Sequence, residues 1–163
     1  MNWEEIKKDV SKIHPKREIV IYTLQSPNRK SLGWVNIAYA NYDYREFCRY
    51  CVEIQIKLGK RDKKKEKLNR FQMHFKLAKV GYEKLDFEFI ENYFTKHFSG
   101  ICTALFLYIK TTKRGFKIQI YVDNIEATTN RLNEMKTDKN RIFDFDYKIT
   151  EDENWDIIGM MLY

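Results

Sequence analysis

Ile101–Val122, ICTALFLYIKTTKRGFKIQIYV, reads as two strands and the turn between them, and it frames the rest of the chain. Its first half, Ile101–Lys110, is a continuous apolar run of the kind that a sheet buries on both faces. Thr111–Gly115 supplies the turn. Phe116, Ile118, Ile120 and Val122 then alternate with Lys117, Gln119 and Tyr121, the period of two that marks a strand with one apolar and one polar face. The spacing predicts a hairpin whose second strand turns Lys117, Gln119 and Tyr121 to solvent.

Helical periodicity flanks this hairpin. Phe87, Ile90, Phe94 and Phe98 share a helical face, with Asp86 placed to cap the start and Gly100 just past the end. Before that helix, Phe71, Met73, Phe75 and Leu77 alternate with Gln72, His74 and Lys76 as a strand. After the hairpin, Asp123 or Asn124 can cap a helix over 125–141, and Phe143, Phe145, Tyr147 and Ile149 alternate again. Trp155–Tyr163, beyond the acidic turn Glu151–Asn154, reads as a last strand. From 71 to 150 the order is strand, helix, strand, strand, helix, strand, which is that of the split βαβ, ferredoxin-like folds. It puts strand 71–77 beside strand 116–122 at the centre of the sheet.

The N-terminal part carries Trp3, Ile6, Val10 and Ile13 on one helical stripe, with Asn2 and Glu5 at capping-box spacing and Pro15 as a stop. Arg17–Gln25 and Leu32–Tyr42 form a hairpin around Ser26-Pro27-Asn28. Tyr50, Val52, Ile54, Ile56 and Leu58 alternate with Cys51, Glu53, Gln55 and Lys57 as a further strand. The fold class is α+β, a mainly antiparallel sheet with about three helices. The C-terminal half is ferredoxin-like, and the N-terminal helix and hairpins extend its sheet or form a second layer. Residues 1–163 are expected to form a single compact domain with possible sub-units 1–70 and 71–163. A total of 25 aromatic residues, with only two prolines and six glycines, is enough to build its core. No apolar leader opens the chain and no run approaches the ~18 residues of a membrane span, so the expected location is cytoplasmic. Three cysteines make no disulfide framework.

Charge is the main functional signal. Lys57–Arg70, KLGKRDKKKEKLNR, holds eight of the thirty basic residues against two acids, and so carries +6 of the formal +7. A basic segment at a hairpin tip attracts a polyanion locally through counterion release, and otherwise serves as a solvated tip that protects an edge. Lys57, Lys60, Arg61, Lys63, Lys64, Lys65, Lys67 and Arg70 are therefore candidate binding residues. His74 and Lys76 on one central strand, with Lys117 and Tyr121 on the other, give a polar face suited to phosphate contacts and base stacking. Arg114-Gly115-Phe116 through Tyr121 resembles the ribonucleoprotein octapeptide of RNA-recognition motifs, but with the aromatic pattern inverted. Phe116 and Ile118 here belong to the apolar series, so the resemblance extends to the fold and to no residue role.

Tyr39, Tyr42, Tyr44, Phe47 and Tyr50 interleave with Arg45 and Arg49, which makes either a stacking and cation–π surface or a packed aromatic core. Cys48 and Cys51 have the spacing of half a zinc site but enter a strand, so no metal and no cofactor is expected. Asp43, Gln55 and Lys57 loosely resemble the acid-then-Gln-x-Lys pattern of PD-(D/E)xK nucleases. That resemblance implies carboxylate-held Mg²⁺ and a lysine beside the attacking water, with Asp43 facing Gln55 or Glu53. Asp144, Asp146, Glu151, Asp152, Glu153 and Asp156 read as a solvated acidic face. No glycine-rich phosphate loop or nucleophilic triad is present in the sequence. The expected function is non-catalytic binding of RNA or single-stranded nucleic acid. The alternatives are a small accessory protein or phage-type inhibitor acting on a nucleoprotein complex, and the metal-dependent nuclease.

Overall fold

The hairpin at 101–122 forms as β4 (Ala104–Thr112) and β5 (Gly115–Val122), and four further strands build a six-stranded sheet around it in the order β1-β2-β4-β5-β3-β6. This computed structural model describes residues 2–27, 29–57, 82–112 and 115–162. The basic residues Lys60, Arg61, Lys63, Lys64, Lys65, Lys67 and Arg70, and the predicted strand 71–77 with His74 and Lys76, lie outside the described residues. Every neighbouring pair of strands is antiparallel. β1 (Ile19–Ser26) and β2 (Arg29–Asn36) are the predicted N-terminal hairpin, and β3 (Tyr50–Lys57) and β6 (Asp144–Glu151) are the alternating strands read from sequence.

Three sequence expectations are corrected by the topology. The place beside β5, assigned above to 71–77, is held by β3, whose apolar series Val52, Ile54 and Ile56 pairs with Ile120, Ile118 and Phe116. Where a last strand is expected over 155–163, residues Asp156–Leu162 are a helix: Asp152 accepts hydrogen bonds from the N–H groups of Asp156 and Ile157, and an N-terminal cap of this kind starts a helix where unpaired β-rich residues would otherwise need a strand partner. The single N-terminal helix is two, because the Asp9 side chain caps a second start at Ser11 and breaks the stripe. The helices are therefore α1 (Trp3–Ile6), α2 (Val10–Ile13), α3 (Tyr82–Phe98), α4 (Ile125–Thr137) and α5 (Asp156–Leu162), with short 3₁₀ turns at Ile37–Tyr39 and Arg45–Phe47. The first of those turns replaces the end of the strand expected to reach Tyr42, and α3 begins ahead of its expected cap, Asp86.

α3 and α4 cover one face. Phe87, Ile90, Phe94 and Phe98 from α3, with Leu132 and Met135 from α4, pack on Val52, Ile54, Ile56, Phe116, Ile118, Ile120 and Phe145. Gly100, at φ +75°, turns the chain out of α3, a conformation that glycine adopts without strain. The other face is covered over half its length. There Ile6, Ile13, Tyr39, Tyr42, Cys48, Trp155 and Ile158 pack on Cys51, Leu105, Leu107 and Tyr121. β5 is consequently buried on both sides towards Val122. Among the described residues no helix is long and apolar enough to cross a membrane.

Candidate functional site

The half of the second face that the aromatic layer leaves open is polar, and strand register lays its residues out in rows. One row crosses all six strands: Asp146 on β6, Gln55 on β3, Lys117 on β5, Lys110 on β4, Gly33 on β2 and Tyr22 on β1 are successive cross-strand partners. At about 4.8 Å per strand it extends roughly 24 Å. The next row, towards the covered half, holds Lys148, Glu53, Gln119 and Tyr108. On the outer side Lys57 sits between Asp144 and Gly115, the last position of β3 before the basic segment.

A register shift in β4 between Phe106 and Tyr108 sets this arrangement. Simple alternation would send Lys110 to the same face as Phe106, under the helices. The extra residue inverts the alternation, so that Ile109 enters the helical core and Tyr108 and Lys110 reach the polar face. Lys110 is thereby opposite Lys117. Like charges directly opposite across strands are destabilising. Lys117 is compensated by an ion pair to Glu53, whose carboxyl also accepts from Gln119 at 3.3 Å. Burial works to raise the Glu53 carboxyl, but the Lys117 ammonium and the Gln119 amide hold it below its ordinary range. Lys110 rests 5.9 Å from the centre of the Tyr108 ring, and among the described residues it has no carboxylate partner within ion-pair distance. Lys57 pairs with Asp146, which Lys136 also approaches at 3.3 Å, and the two ammonium groups hold the Asp146 carboxyl low.

Tyr22 closes the row. Its ring is stacked against Tyr108 at 6.3 Å between centres and 10° between planes, and it lies over Gly33, where any Cβ would collide with it. Gly33 therefore permits a half-exposed tyrosine to lie flat on the sheet.

The other predicted site residues divide between this face and the core. Lys57 and Lys117 belong to the open face. Tyr121, expected in solvent, is fully buried: its hydroxyl donates to Asp152, and its ring stacks on Trp155 at 4.3 Å. The alternation placed it on the correct face, but the aromatic layer covers that end. Phe116 and Ile118, at the octapeptide's third and fifth positions, face the helices. Arg45 is not offered to a ligand, since it bonds the backbone carbonyl of Ala40 and lies over the Trp155 ring at 5.4 Å. Arg49 is partly exposed and pairs with Glu151 at 3.3 Å, but it precedes β3 and so lies at the far end from Lys57, about 26 Å along the strand. Tyr39 and Tyr42 are core residues packed on Trp155.

Asp152, expected to be solvated, is buried and holds the start of α5. Trp155, just before that helix, is held at φ +61°, unusual for a bulky side chain, while its indole donates to the Cys48 carbonyl at 2.9 Å. Cys48 and Cys51 are buried free thiols, and burial pushes Cys51 up to about 12, far from a reactive thiolate. The nuclease constellation is not assembled. Asp43 is exposed between the 3₁₀ turns, beside Tyr42 and Tyr44 at the Tyr50 end, whereas the Gln55 amide donates to the Phe116 carbonyl and Thr112 at the other. Among the described residues no three His, Cys, Asp or Glu side chains are grouped to hold a metal ion.

Tyr22, Lys110 and Lys148 were missed by the sequence reading. Gly33 inside an expected strand was the legible signal for Tyr22, because an interior glycine often marks a close approach. The fold and this face define an α+β protein with an antiparallel sheet, covered by helices on one side and, among the described residues, left half open and lysine-bearing on the other. No family model, no curated protein and no solved structure matches the chain.

Proposed function

We propose that the protein is a non-catalytic binder of RNA or single-stranded nucleic acid, whose site is the open polar half-face together with the basic segment that leaves it at Lys57. The observation that carries this reading is the pair Lys110 and Lys117, opposed across β4 and β5, where among the described residues Lys117 engages the Glu53 carboxylate and Lys110 has no carboxylate in ion-pair distance. A fold gains nothing from opposing two ammonium groups, whereas a phosphate between them relieves the repulsion and releases counterions. Lys57, on the adjoining strand, is also the first residue of the sequence segment that carries +6, a concentration of charge that favours a polyanionic ligand. Tyr22, flat on the sheet at the end of the same row, offers the ring on which a base stacks. The scaffold we infer is a ferredoxin-like split βαβ unit that starts at β3 and not at residue 71. In its support, β3, α3, β4, β5, α4 and β6 follow in chain order and their strands lie as β4-β5-β3-β6.

Fluorescence anisotropy with a labelled single-stranded oligoribonucleotide, titrated over a range of salt, tests the function. Binding should weaken steeply with salt, and the log–log slope should fall by about 0.7 for each phosphate contact removed in Lys110→Gln and Lys117→Gln. Replacing Lys63, Lys64, Lys65 and Lys67 with Gln should flatten the slope further. Tyr22→Ala should weaken binding by about 1–3 kcal/mol without changing the slope. Absence of binding at low salt, or a slope indifferent to all six lysines, overturns the reading.

A further inference from the structure

The two edges of the sheet are built differently. β6, DFDYKITE, carries Asp144, Asp146, Lys148 and Glu151 along its length, the charged edge that natural sheets use against unwanted pairing. β1, IVIYTLQS, has no charge and no proline over Ile19–Ser26, and it pairs with β2 in unbroken register through all eight residues. Val20 and Ile21 remain 41% and 49% exposed, on opposite faces of that edge. The Ile37 N–H donates to the Glu18 carbonyl, and the Leu32 N–H turns away from β1 to Thr111. In an antiparallel pair the bonded positions alternate, so the even residues of β1 bond to β2. Ile19, Ile21, Thr23 and Gln25 turn their N–H and C=O groups outward, and among the described residues no strand pairs with them.

We propose that β1 pairs antiparallel with β1 of a second copy of this chain, joining two six-stranded sheets into one across a two-fold axis at Tyr22. A second copy is the occupant that this edge favours. Two identical uncharged edges meet without repulsion, and the antiparallel register that pairs all four outward residues, Ile19 with Gln25 and Ile21 with Thr23, is self-complementary. Lys57, the last described residue before the basic segment, ends β3, four strands away from the β1 edge. A two-fold perpendicular to the sheet keeps the same face up in both copies. The lysine rows then become one continuous surface with the two Tyr22 side chains at its centre, a further step beyond single-copy binding. An interface of one strand pair is small, so the dimer belongs to the weak class.

Sedimentation velocity of the full chain without nucleic acid, over micromolar to millimolar concentrations, tests this apart from the binding reading. A concentration-dependent dimer is expected. Thr23→Pro deletes an outward N–H while leaving every bond to β2, and Ile21→Lys charges the edge; each should weaken dimerisation about tenfold or more, with circular dichroism unchanged. Tyr22→Cys, at the axis, should form an intermolecular disulfide on mild oxidation, and Val20→Cys on the same face should not. A chain that stays monomeric throughout, folded variants that dimerise like the wild type, or equal cross-linking at Val20 and Tyr22 would overturn the proposal.

Discussion

β3 and β5 each present the same series of side chains to both halves of one sheet face, and the halves have opposite fates. Cys51 and Tyr121 lie under Trp155, Tyr42 and Cys48 with no exposure, whereas Glu53, Lys117 and Lys57, two to six residues further along the same alternation, are partly or fully open to solvent. Alternation decides which face a side chain takes. Whether that face is covered depends on segments far away in sequence, here the N-terminal helices and the turn before α5.

The cover over the closed half depends most on Trp155. Its stack on Tyr121 and Tyr42, and its bond to the Cys48 carbonyl, tie the C-terminal turn to the N-terminal layer. Trp155→Ala should destabilise the fold by about 3–5 kcal/mol in urea titrations. A loss under about 1 kcal/mol would mean that other residues hold the cover in place. Tyr121→Phe removes the donor to the buried Asp152 carboxylate while keeping the ring, and should cost about 1–3 kcal/mol. The change at Tyr121 thus reads out on stability and not on ligand binding, as it would on an open face.

The helical face offers a pH test. Burial raises the Glu91 carboxyl to about 6, although Arg17 pairs with it and pulls it down. Because the folded state holds this proton more tightly than the unfolded chain, the contribution to stability is greatest at low pH. It declines as pH rises from about 4.5 to about 6. Glu91→Gln should flatten that limb, by at most about 2 kcal/mol, in melts across this window. The smallest effect belongs to the open half. Lys110→Gln relieves the opposed ammonium groups and should raise stability by about 0.2–1 kcal/mol at low salt, with the gain fading as salt screens the pair. A loss of stability instead would show that Lys110 has a structural role in the open half.

Periodicity made much of the fold legible. The hairpin 101–122, the buried stripe Phe87, Ile90, Phe94 and Phe98, a cap at Asp123 or Asn124, which falls to Asn124, and the alternation of β3 and β6 depend on neighbours within a few residues and are legible in the sequence. The site was legible only in part. Lys57 and Lys117 follow from alternation, but Lys110 reaches their face through a bulge inside a continuous apolar run, where no period exists to be interrupted. Trp155–Leu162 was misread because its β-rich composition is a local preference, and it was overridden by a cap from Asp152 and by burial against Tyr121.

By itself, then, the sequence determined which residues share a strand face or a helix face, and where the charge is concentrated, because both are set by local backbone geometry and composition. It took the tertiary structure to put β3 and not residues 71–77 beside β5, to cover one half of the polar face, and to place β1 at an edge of the sheet that no described strand pairs with. Strand neighbours and layer contacts join residues a hundred positions apart. Their choice is made by the total area buried and the backbone hydrogen bonds completed, which no local period encodes.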